Sequence, residues 1–75
     1  MKKIETRDKG LAFAIKQIIH NKCHAANIPT TEAVRLYDGK ELLIDEAVVH
    51  PSLIDYIVRK YKEAGLRISQ YDYAS

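Results

Sequence analysis

From His50 to Tyr73 the chain reads His-Pro-Ser-Leu-Ile-Asp-Tyr-Ile-Val-Arg-Lys-Tyr-Lys-Glu-Ala-Gly-Leu-Arg-Ile-Ser-Gln-Tyr-Asp-Tyr, and no other stretch constrains the fold as tightly. Pro51 fits a first helical turn, where a missing N–H costs nothing, and Ser52 with Asp55 has capping-box spacing. Leu53, Ile54, Ile57, Val58, Tyr61 and Ala64 recur at helical spacing and define one apolar stripe. Asp55, Arg59 and Glu63 stand four apart on the opposite side, as solvated helical residues do. Gly65 suits the left-handed position that ends a helix, and Leu66-Arg67-Ile68 then alternates as a strand does. A helix, a glycine stop and a strand are therefore expected.

The first helix is expected from Lys9 to about Asn21 or Lys22, capped by Thr6 or Asp8. Leu11, Ala14, Ile15, Ile18 and Ile19 fall on one arc of it, and Lys22 would intrude on that arc. Before this helix, residues 1–5 carry one large apolar residue besides Met1 and read as a frayed start. After it, Pro29 holds Ile28 extended and marks a connection.

Between the two helices, Asp38-Gly39 separates two apolar-bearing runs, which is a hairpin signal with a type I′ turn. Val34 and Leu36 would face the core from one strand, and Leu42 and Ile44 from the next. A mostly helical alternative places a short helix over residues 31–37, stopped by Gly39. The hairpin is the better fit. The expected fold is a small α+β domain in the order helix, β-hairpin, helix, strand. Its sheet is three-stranded and mainly antiparallel, the last strand joining the hairpin, with both helices on one face.

A chain of 75 residues has room for one core, so residues 1–75 form one expected domain. Its one cysteine, Cys23, cannot make an intramolecular disulfide, which fits a reducing compartment. There is neither an apolar run of membrane-spanning length nor a secretory pattern, so a cytoplasmic protein without a membrane partner is expected. Small cores are commonly completed by self-association, which makes a homodimer a natural expectation.

Charge is segregated along the chain. Residues 1–24 carry net +4, residues 25–58 net −4, and residues 59–75 net +2. Segregation of this kind suggests a surface with two faces of opposite sign, although small chains often show it by chance. His20, Cys23 and His24 are clustered, but structural zinc sites use two tight ligand pairs and the second pair is missing. Cys23 and His24 are also neighbours, which points them apart on a helix and spoils proton transfer. Glycines stand singly at 10, 39 and 65, outside any phosphate-binding pattern. No catalytic residue, metal or cofactor is assigned.

Exposed aromatics carry the functional expectation. Phe13 projects from the first helix away from the isoleucine arc, among Lys9, Lys16 and His20. Tyr71 and Tyr73 share a face of the last strand opposite Leu66 and Ile68. Aromatic rings beside cations suit interface cores. A non-enzymatic protein-interaction or regulatory module is expected, with Lys9, Phe13, Lys16, His20, Tyr71 and Tyr73 as its partner-binding residues. The alternative is a nucleic-acid binder whose basic first helix tracks phosphates.

Overall fold

A computed structural model of the chain describes residues 1–71, apart from the Leu36 side chain. The elements run β1 (Lys2–Glu5), α1 (Lys9–Ala25), α2 (Thr30–Ala33), β2 (Val34–Asp38), β3 (Glu41–Ile44), α3 (Pro51–Lys60) and β4 (Arg67–Gln70). The α+β class holds, with α1 and α3 covering one face of an antiparallel sheet. Their apolar sides meet Ile4, Leu42 and Ile44, all fully buried. Burial of a side chain of this kind stabilises by about 1.5–3 kcal/mol.

The sheet corrects the expected strand count. It has four strands in the order β2-β3-β1-β4, and Lys2–Glu5, expected to fray, lies inside it. Ile4 stands opposite Leu42 on one side and Ile68 on the other. The last strand accordingly pairs with β1 and not with the hairpin. The physical reason is one-sided coverage. Ile4 supplies the inward contact, while Lys3 turns to the other face and pairs with Glu41 at 3.7 Å. A strand of this kind needs one apolar residue to belong to the core.

The hairpin forms, and the alternative helix over residues 31–37 does not, because residues 34–38 are strand. Thr30–Ala33 makes one helical turn and β2 follows directly. The expected type I′ turn needs positive φ at two positions, and only Gly39 has it, at 60°. A bulge between Val34 and Leu36 shifts the register, so Val34 pairs with Ile44 and Tyr37 with Leu42. Tyr37 thereby stands on the helix-covered face.

Helix α1 begins as expected, Asp8 accepting the Gly10 N–H at 3.0 Å. It runs three residues past Lys22, because its buried line is Ala12, Ile15, Ile19 and Cys23 and passes to one side of the lysine. The N-cap of α3 is His50, whose Nδ1 accepts the Ser52 N–H at 3.1 Å, so the Ser52–Asp55 capping box does not form. Arg59 likewise donates to the Asp55 carbonyl in place of its carboxylate. Past Lys60 the chain tightens into a 3-10 turn, Lys62–Ala64, and Gly65 takes φ 77°. A Cβ on Gly65 would lie 3.3 Å from Nε of the exposed Arg7, which would have to shift slightly, and it is the left-handed conformation that favours glycine here.

Candidate functional site

The expected partner-binding residues separate into two groups on opposite edges of the sheet. Lys9, Phe13, Lys16 and His20 form one stripe of α1 that runs beside edge strand β2. Lys9 borders a shallow dimple with Gly39 and Lys40, and Lys16 Nζ lies 5.0 Å over the Tyr37 ring. His20 Nδ1 is 2.6 Å from Thr30 Oγ1, and its ring stacks on His24 with centroids 6.1 Å apart. Phe13 is 50% exposed at the middle of the stripe. Tyr71 lies at the other edge, past β4, where its N–H donates to the Met1 carbonyl at 2.7 Å. Tyr73 lies outside the described residues.

A different feature has the shape of a binding site. The backbones of α1 and α3 stay apart over most of their length, and between them runs a groove of about 940 Å³. Its floor is Cys23 and Val49, both buried. Ile18 of α1, Leu53 of α3, and Ile28 and Val48 from the adjoining loops make apolar walls. These four side chains pack against the core yet remain partly exposed. Tyr56, 48% exposed, stands on the α3 lip, with Lys60 Nζ 5.9 Å from its ring centroid.

The geometry follows from local sequence. Asn27 at φ 59° and the Ile28 N–H bonded to the Cys23 carbonyl turn the chain sharply after α1. That turn lays Ile28 against the end of the groove. On the far side, His50 starts α3 with Leu53 and Tyr56 facing inward.

The electrostatics are one-sided. Lys22 and Lys60 line the rim, and among the described residues no carboxylate lines the groove. The nearby acids of the 45–50 connection are engaged elsewhere. Asp45 pairs with Arg35 at 3.8 Å, and Glu46 Oε1 lies 4.0 Å from Lys2 Nζ. Burial pushes the Cys23 thiol up from its ordinary value, which favours its neutral form.

Sequence reasoning placed Ile18 and Leu53 on core-facing arcs and did not find the groove. The available signal was excess. The two helices carry more apolar residues than a four-stranded sheet covers, and Leu11, Ile18, Leu53 and Val58 are the surplus.

Among the described residues, no three His, Cys, Asp or Glu side chains gather in a metal-holding group. No helix of the described residues is long and apolar enough to cross a membrane. Comparison with protein families, with curated proteins and with solved structures finds no match to this chain.

Proposed function

We propose that the chain is a non-enzymatic protein-interaction module that takes its partner in the groove between α1 and α3. The observation that carries this is the set of apolar walls, Ile18, Ile28, Val48 and Leu53, left partly exposed around a trough of about 940 Å³. Apolar surface gathered in one concavity marks a binding site far better than the same residues scattered. Tyr56 on the lip adds an aromatic of the kind that anchors interfaces. A catalytic use is a poor fit. The thiol on the floor is held neutral by burial, and the imidazole of His50 is engaged in capping α3. The buried thiol is in keeping with a cytoplasmic site of action.

The experiment is affinity capture from the native cell with wild type, Tyr56→Ala and Phe13→Ala. Protein captured by wild type and Phe13→Ala but lost with Tyr56→Ala supports the groove. Capture unaffected by Tyr56→Ala, or recovery of nucleic acid with no protein, contradicts it.

A nucleic-acid binder is the second reading, favoured by one observation. Helix α1 carries Lys9, Lys16 and Lys22 and no acidic residue along its 17 residues, with Phe13 exposed at the centre of its outer side. An exposed ring among lysines suits base stacking beside phosphates. Titration with single- and double-stranded oligonucleotides at two salt concentrations decides it. Phosphate-driven binding must weaken steeply with salt and fall on Phe13→Ala; absent binding removes this reading.

A further inference from the structure

We infer that the occupant of the α1–α3 groove is an acidic amphipathic helix; this rests on the protein-interaction reading above and names the partner's chemistry. The first ground is charge. Both lysines on the rim, Lys22 and Lys60, are exposed, and among the described residues no carboxylate lines the groove; Asp45 and Glu46 of the adjoining connection lie beside Arg35 and Lys2. A partner with carboxylates flanking its apolar side meets attraction on both lips, whereas a basic partner meets repulsion on both.

The second ground is shape. The groove is bounded on two sides by helices and stays open above, with Lys22, Ser52, Tyr56 and Lys60 all exposed along it. A small ligand is ordinarily held with most of its surface buried, and an open trough does not enclose one. A helix about 10 Å across can bury one apolar side and leave the other in water. A stripe of apolar residues at i, i+4 and i+7 would lie between the walls made by Ile18, Leu53, Val48 and Ile28. The buried backbone of such a partner needs nothing from the groove, because a helix satisfies its own N–H and C=O groups. That matters where the walls are apolar side chains and the floor offers a thiol.

Cys23 supplies the readout. Cys23 lines the groove floor and as a residue is 5% exposed, so an occupant must slow the labelling of its thiol by a maleimide. A displayed library of helical peptides about 15 residues long, roughly four turns, is panned on the full chain at low salt. The winners are then remade with every Asp and Glu changed to Lys.

Enriched peptides with apolar residues at helical spacing and acidic flanks are expected. They should protect Cys23, and bind roughly tenfold more weakly to a Lys22→Glu/Lys60→Glu double variant and in their own lysine form. Winners with neutral or basic flanks, equal binding to the double variant, or no enrichment would each overturn the inference. So would protection of Cys23 by oleate but by no peptide, or protection that grows with protein concentration alone, the mark of a second copy. Tyr56-dependent capture of a native protein alongside a failed acidic selection would leave the module standing and refute only the partner's chemistry. Failure of both would remove the module as well.

Discussion

The Ile28 N–H donates to the Cys23 carbonyl at 2.8 Å, and this bond joins one wall of the groove to its floor. Asn27 between them sits at φ 59°, with its own N–H on the His24 carbonyl at 3.2 Å. The two bonds are the 6→1 and 5→2 pair of a Schellman motif, with Asn27 in the left-handed position.

Asn27→Val should therefore cost about 1–2 kcal/mol, since a β-branched side chain resists the left-handed region. Asn27→Gly should stay within about 0.5 kcal/mol of wild type, because glycine adopts the region freely. Urea melts of the three proteins measure the difference. Equal stability of Asn27→Val and Asn27→Gly would show that the motif does not form.

Strand β1 makes a sharper prediction. Ile4 is fully buried between β3 and β4, so Ile4→Ala should cost about 2–5 kcal/mol, as truncation of a core aliphatic does. Removing residues 1–5 should unfold the chain, since β4 would lose its only neighbour in the described sheet. A truncated protein that melts like wild type would place these residues outside the sheet.

His50 caps α3 through Nδ1, an acceptor that alanine lacks. His50→Ala should lower stability by about 0.5–2 kcal/mol, and His50→Asn should recover most of it. Thermal melts followed by far-UV circular dichroism check both. Full stability in His50→Ala would mean that Ser52 caps the helix after all.

The buried thiol sets an alkaline limit. Desolvation raises the Cys23 pKa above its ordinary 9.0 in the folded chain. Unfolded chains lose that proton at lower pH, so the contribution is intact below 9.0 and is lost as pH rises through the folded value. Lysines and tyrosines titrate nearby, so the prediction concerns a difference. Wild type should lose stability more steeply above pH 9 than Cys23→Ala does, by denaturant melts across the range. Parallel curves would show that the thiol is solvated.

Much of the fold was legible because it rests on periodicity. The α3 stripe and the Gly65 stop are encoded by residues that have one structural use each. The hairpin was legible from Gly39, though the turn turned out to need one positive φ and not two. Strand β1 was illegible for a physical reason. A central strand covered on one face needs apolar residues only at alternate positions, and of the two such positions here, Lys2 and Ile4, only Ile4 is apolar. Such a strand resembles a tail until its neighbours are known.

The site was less legible than the fold. Phe13 was identified correctly as exposed, and Lys9, Lys16 and His20 lie on its side of α1. Tyr71 could not be separated from them in the sequence, because sheet order decides which edge a strand occupies, and β1 changed that order. The groove was invisible for a related reason. Whether Ile18 and Leu53 touch each other or stand apart depends on helix spacing, which apolar periodicity does not encode.

Site-specific photocrosslinking in the native cell tests the central claim most directly. A photoreactive side chain replaces Tyr56 on the groove lip in one protein and Phe13 on the outer side of α1 in another. Both positions are about half exposed, so both proteins should fold. A discrete protein adduct at position 56 and none at position 13 is the predicted result. A protein adduct at position 13 with none at 56, or nucleic acid in place of protein, would contradict a groove-based interaction module.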